Sequence, residues 1–213
     1  MTTDGLRRLG CLISGGGRTV LNLQAAIVRG DVPASIEVVL AHREDVAGVA
    51  RCRDAGLPVE VIPILPEADT SNRIDQALDH AGIELVCLCG YLRHFRVGSR
   101  WNDRVVNIHP SLLPRHGGPG MYGDRVHAAV LAQGDTESGC TVHAVDEIYD
   151  HGAIILQRRC PVEPNDTTAS LAARVFAAEC EALPEAIRVI AEGGIRLADG
   201  QVLTEDRSGT ADS

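Results

Sequence analysis

Short apolar runs alternate along the chain with segments whose apolar residues recur at helical spacing. Continuous apolar runs at 9–13, 36–41, 59–64, 85–89 and 104–108 read as buried strands. Helices are predicted over 19–29, 46–55 and 70–81. The first has Thr19 as a candidate cap and Leu21, Ala25 and Val28 on one face; the others end at Gly56 and Gly82. Strands buried on both faces and separated by helices imply a mostly parallel sheet with helices on both sides and right-handed crossovers. Ligands of such sheets sit beyond the carboxyl ends of the strands. That rim would collect Ser14 to Gly17, Gly90 to Arg93 and Asn107 to Pro110.

From about residue 109 the pattern changes. A helix is predicted over 124–133, closed by Gly134. Two strands, 139–145 and 153–159, flank the turn Asp150-His151-Gly152 and introduce an antiparallel element. A long helical pattern over 169–191 contains Pro184, which should kink or break it. One domain over 1–204 is expected, followed by a small polar tail at 205–213 read as disordered.

Composition narrows the function classes. A formal charge of −9 argues against a nucleic-acid binder, which needs basic surface to displace counterions. Seven cysteines, odd in number and scattered, read as buried reduced thiols; Cys87 and Cys89 have no base partner in sequence. No His or Cys cluster has metal-ligand spacing, so no metal is expected. No run approaches the ~20 apolar residues of a membrane span, and Met1 to Arg8 lacks a secretory pattern. Cytoplasm is the default location; the acidic charge does not exclude a small anionic substrate, since a local pocket can be positive, and a monomer or homodimer is expected.

Two segments carry candidate chemistry. Asn107 and His109 alternate with Ile108 at a strand end, which puts both side chains on one face. An amide donor beside an imidazole suits a carbonyl oxygen that becomes negative during attack. A polar strand end with a satisfied histidine has the same pattern. The stretch from Ser138 to Gly152 offers carboxylates in a turn, where one could orient a histidine; a solvated acidic hairpin reads alike.

Taken together, these segments resemble the phosphoribosylglycinamide formyltransferase family. The matching residues are Asn107-x-His109-Pro110-Ser111-Leu112-Leu113-Pro114, Gly120-Met121-Tyr122-Gly123, Val126-His127, Ser138-Gly139-Cys140-Thr141-Val142-His143, Asp150-x-Gly152, Ile154-Ile155-x-Gln157, Asp166-Thr167 and Glu179. The resemblance runs from about Leu9 to Gly193 and implies the Rossmann-like formyltransferase fold. It implies transfer of a formyl group from 10-formyltetrahydrofolate to the amine of glycinamide ribonucleotide, a step of purine synthesis. No metal or covalent enzyme intermediate is implied.

The resemblance also implies roles for named residues. Asn107, His109 and Asp150 match the catalytic trio. The first two would stabilise an oxyanion, and Asp150 would favour a protonated His109 and relay a proton. Gly15, Gly16, Gly17, Arg18 and Thr19 would hold the phosphate, and Glu179 the glycinamide. Arg93, His94, Phe95, Asn107, Val145, Asp146 and Asp150 would line the folate site, with His143 and Ser111 in support. The ribonucleotide would bind mainly residues 9–108 and the folate and chemistry residues 109–204.

One departure stands out. Many members read Ser-Gly-x-Gly-Ser-Asn-Leu at the phosphate turn; this chain reads Ser14-Gly15-Gly16-Gly17-Arg18-Thr19, with Arg18 either on the phosphate or in solvent. It is not a dinucleotide fingerprint, since Val20 stands at the third glycine position. Competing readings are a methionyl-tRNA formyltransferase, a formyltetrahydrofolate deformylase, a sugar-nucleotide formyltransferase and a non-catalytic binder. The first needs a basic extra domain, the second usually an N-terminal regulatory one, and the last has no use for the trio.

Overall fold

The computed structural model describes residues 6–204. The first half lays down β1 (Arg7–Ile13), α1 (Arg18–Val28), β2 (Ala34–Ala41), α2 (Ala47–Asp54), β3 (Val59–Val61), α3 (Glu67–His80), β4 (Leu85–Leu88), α4 (Gly98–Trp101) and β5 (Val105–His109). The second adds α5 (Asp124–Gln133), β6 (Glu137–Ala144), β7 (Ile154–Pro161), α6 (Thr168–Ala191) and the hairpin β8 (Ile195–Ala198) with β9 (Gln201–Thr204). The main sheet has seven strands in the order β3-β2-β1-β4-β5-β6-β7. Pairings among β1 to β5 are parallel; β5–β6 and β6–β7 are antiparallel. The mostly parallel sheet with a C-terminal antiparallel element is thus present.

Alternation along the strands feeds two cores. Leu9, Cys11 and Ile13 of β1 pack with α1, α2, α5 and α6, whereas Leu12 packs with α3 and Trp101 on the opposite face. Gly10 points the same way as Leu12; a Cβ there would lie 2.6 Å from Leu78 Cδ2, so the close approach of α3 requires glycine. Six of the seven cysteines are buried, Cys180 is half-buried, and none is in a disulfide.

Several expectations need correction. Gly17, in a left-handed conformation (φ 69°), caps α1 in place of Thr19. The buried stripe of α1 is Val20, Leu23 and Ala26, while Ala25 and Val28 are exposed. The short apolar residues of that helix fit two overlapping stripes, and packing on the sheet, α2 and α6 selects one.

Pro184 does not break α6, which runs continuously past it. Proline cannot donate to the carbonyl four residues back, that of Cys180. Asn22 Nδ2 of α1 donates to that oxygen at 2.8 Å instead. Unanticipated elements are α4 and the β8–β9 hairpin; Asp199-Gly200 at the hairpin turn, both at positive φ, was its available signal. The tail expected from Glu205 lies outside the described residues.

Candidate active site

The sheet order reverses between β1 and β4, the place where open α/β sheets open a crevice. The loops leaving β1, β4 and β5 meet there around a cavity of about 500 Å³. It is lined by Gly15 to Thr19, Gly90 to Phe95, Asn107 to Pro110, Gly118 to Asp124, His127, His143, Val145, Asp146, Asp150 and Glu179. Of the residues singled out in the sequence, only Ser111 lies off this wall. Its Oγ donates to the Arg115 carbonyl at 2.6 Å and shapes the turn behind the cavity.

Asn107, His109 and Asp150 come together although β6 separates them in sequence. Asn107 pairs with His143 across β5–β6. The β6–β7 loop folds back so that Asp150 Oδ1 is 3.4 Å from His109 Nδ1 and 3.7 Å from His143 Nε2. Asp150 holds a left-handed conformation (φ 54°) and its Oδ2 accepts from Gly118 N–H at 2.9 Å. Gly152 permits the fold-back: a Cβ there would fall 1.9 Å from the Ala144 carbonyl oxygen.

The hydrogen bonds fix the tautomers. His143 Nδ1–H donates to the Ala144 carbonyl (2.7 Å), so its Nε2 accepts from Asn107 Nδ2 (3.0 Å). One amide N–H of Asn107 is thereby used, and the second is available to the cavity. His109 Nε2–H donates to the His116 carbonyl at 2.9 Å. Burial drives the His109 pKa below its ordinary value, and the Asp150 charge does not offset this. The Asp150 charge pulls toward the protonated ring, against the larger effect of burial. Burial acts upward on Asp150, yet its carboxyl stays below the usual range, with the Gly118 N–H bonded to Oδ2 and His109 beside Oδ1.

At the other end of the cavity, the carbonyls of Gly15 and Gly16 turn away, onto Gly48 N–H (3.0 Å) and Arg51 Nη1 (2.9 Å). The N–H groups of the first turn of α1 have no partner within the helix and form an anion-receptive end. Gly48 lets α2 approach; a Cβ would lie 2.5 Å from the Gly15 carbonyl oxygen. Arg18 is exposed, with its guanidinium 4.1 Å from the centroid of Phe176. Glu179 lies one turn beyond Phe176; burial pushes its pKa up to about 7, opposed by Arg18.

Sequence reading missed Phe176, although Ala172, Phe176 and Glu179 recur at i, i+4 and i+7 along one helix face. It also gave no role to His127, whose buried Nδ1 has no hydrogen-bond partner among the described residues. Cys87 and Cys89 are no nucleophiles: hydrogen bonding to Cys11 and burial push both thiols well up.

A second cavity of about 660 Å³ shares the Tyr91 to Phe95 wall and adds His42, Arg43 and Arg96. Leu92, Tyr122, Ile148 and Tyr149 line the first cavity while remaining exposed large hydrophobic side chains. Among the described residues no three His, Cys, Asp or Glu are grouped to hold a metal. No helix among them is long and apolar enough to cross a membrane.

The switch-point cavity of this α/β fold thus holds a carboxamide, imidazoles and a carboxylate together with an anion-receptive helix end. The chain matches the formyl transferase family model over residues 7–187 and belongs to that family. It is 38% identical over 93% of its length to the trifunctional purine biosynthetic protein adenosine-3 of Bos taurus, but spans only 20% of that protein. It is 32% identical to the phosphoribosylglycinamide formyltransferase of Haemophilus influenzae, covering 91% of this chain and 92% of that one. The crystal structure of glycinamide ribonucleotide transformylase 1 from Symbiobacterium toebii superposes with a TM-score of 0.88 at 34% identity, covering 95% of this chain and 96% of that one.

Proposed function

We propose that this chain transfers the formyl group of 10-formyltetrahydrofolate to the amine of glycinamide ribonucleotide. The observation that carries the reading is the convergence of Asn107, His109 and Asp150 in a cavity whose far end holds the Gly15 to Thr19 turn, Arg18 and Glu179. A phosphate suits the unpartnered N–H groups at the start of α1. An amine suits Glu179, whose half-buried carboxyl on the cavity wall gains most from a cationic or hydrogen-bonding neighbour. The pterin end of the folate would lie against Arg93, His94, Phe95, Val145 and Asp146, with Arg93 placed between the two cavities for the glutamate end.

The chemistry needs charge stabilisation and the relay of one proton. The substrate nitrogen forms a bond to the formyl carbon, and the carbonyl electrons move onto oxygen. The free N–H of Asn107 donates to that oxygen. The nitrogen that attacks becomes acidic; the His109–Asp150 pair accepts its proton, and the departing folate nitrogen receives one as the old C–N bond breaks. His109, once protonated, places a positive charge beside the oxyanion. His143 fixes the Asn107 amide, and Ser111 the turn beneath it.

Release of tetrahydrofolate, followed spectrophotometrically, tests the reading. Release that requires glycinamide ribonucleotide is expected. Release without it would instead identify a deformylase, and none with any acceptor would identify a binding protein.

A further inference from the structure

Arg18 is a cation at the unfavourable end of a helix. It opens α1, where the aligned backbone already presents positive charge. No acid stands in the first turn and no side chain caps it. Among the described residues the guanidinium makes no hydrogen bond and no ion pair. A carboxylate is nevertheless within its field: Glu179 shares the cavity wall, and the Arg18 charge acts on it against the effect of burial. An unrestrained guanidinium would close onto that carboxylate, since a two-pronged pair is its strongest contact.

Phe176 holds it elsewhere. The guanidinium lies over the Phe176 ring, 4.1 Å from the centroid. Phe176 is one of two phenylalanines in the chain and belongs to neither core; it lines the cavity from α6, one turn before Glu179. An arginine seated on an aromatic face keeps its N–H groups, which point outward in the guanidinium plane, free for a second partner. It also gives up in advance the rotamer freedom that binding would otherwise remove. Gly15 to Thr19 line the same cavity, with the carbonyls of Gly15 and Gly16 tied to Gly48 and Arg51. A planar cation and the N–H groups of a helix start thus share one cavity, and the group that matches both is a phosphate.

We propose that Phe176 is a positioning residue: its ring holds the Arg18 guanidinium apart from Glu179 and presents it to the substrate phosphate, leaving the carboxylate for the rest of the ribonucleotide. This rests on the ribonucleotide reading of the site. Phe176 belongs to none of the motifs that carry the family resemblance, and Arg18 stands where the phosphate turn departs from them.

The test is a double-mutant cycle on the full chain, with Phe176→Leu, Arg18→Ala, both together, and Phe176→Tyr as the variant that keeps an aromatic face. Arg18→Ala should raise KM for glycinamide ribonucleotide about tenfold and Phe176→Leu about fivefold, with kcat and the KM for the folate within about twofold. The double variant should be no worse than Arg18→Ala alone, and Phe176→Tyr should stay within about twofold of the wild-type chain. Calorimetric titration with ribose 5-phosphate should give Kd values in the same order without any chemistry. No effect of Phe176→Leu, multiplied effects in the double variant, or a Phe176→Tyr chain as impaired as Phe176→Leu overturns the proposal. A wild-type chain that binds ribose 5-phosphate but transfers no formyl group overturns the functional reading instead, and the titration cycle still decides the role of Phe176.

Discussion

Asp150 is a residue whose backbone, charge and neighbours all serve one placement. Its left-handed φ and its bond to Gly118 aim one oxygen at His109 and His143. Asp150→Asn keeps the shape and removes the charge. It should lower kcat by roughly 10²-fold or more while leaving substrate KM values within a few-fold; steady-state kinetics with each substrate varied checks this. The Asp150 pKa is lowered on folding, so its share of stability is present above the unfolded value of about 3.9 and fades as pH falls through the folded value.

Glu179 behaves oppositely. Its carboxyl titrates at about 7 in the fold and about 4.3 when unfolded. The folded chain holds the extra proton between those values, so this group's contribution declines as pH rises through that window. Glu179→Gln should therefore raise Tm by roughly 5 °C at pH 8 and barely change it at pH 4, while raising KM for the ribonucleotide. Thermal scans at the two pH values decide it. Motifs in the sequence located both carboxylates, but their titration depends on burial, which no local pattern encodes. For the same reason, no local motif shows how strongly burial opposes the pull of Asp150 on His109.

At the scale of elements, the sequence located the strands and helices of the main sheet but not every end or face. Strand pairing extended β2 and shortened β3, and packing on the sheet, α2 and α6 set the buried stripe of α1. A Pro184 read as a break lies instead inside a continuous helix, because a side chain from another element takes the bond it vacates. That substitution of donors is measurable. Asn22→Ala should cost about 1–2 kcal/mol by orphaning the Cys180 carbonyl. In a Pro184→Ala background the helix supplies its own N–H, and the same change should cost distinctly less. A double-mutant cycle by urea unfolding gives the coupling; additive costs would refute the latch.

For the molecule as a whole, the sheet and its rim followed from the alternation of apolar runs with helical spacing, together with the rule for where such sheets bind. The convergence of residues 107–109 with residue 150 followed only from the family likeness, since no periodicity reports that a loop folds back over its own sheet. The cores also determine thiol chemistry. With six cysteines buried and Cys180 half-buried, about one thiol should react with an aromatic disulfide reagent in the native chain and all seven in denaturant. Rapid reaction of three or more native thiols would contradict the packing described.

The exposed apolar side chains of the cavity wall have a final implication. Leu92, Tyr122, Ile148 and Tyr149 would be a liability on a bare surface, yet they line a cavity whose proposed occupant has flat, greasy rings of its own. Once seated, such a molecule would seal the doorway and shut out solvent. That matters because an activated one-carbon unit can be squandered on water as readily as delivered to an amine. A rim that is sticky when vacant becomes, when filled, the stopper that separates synthesis from waste.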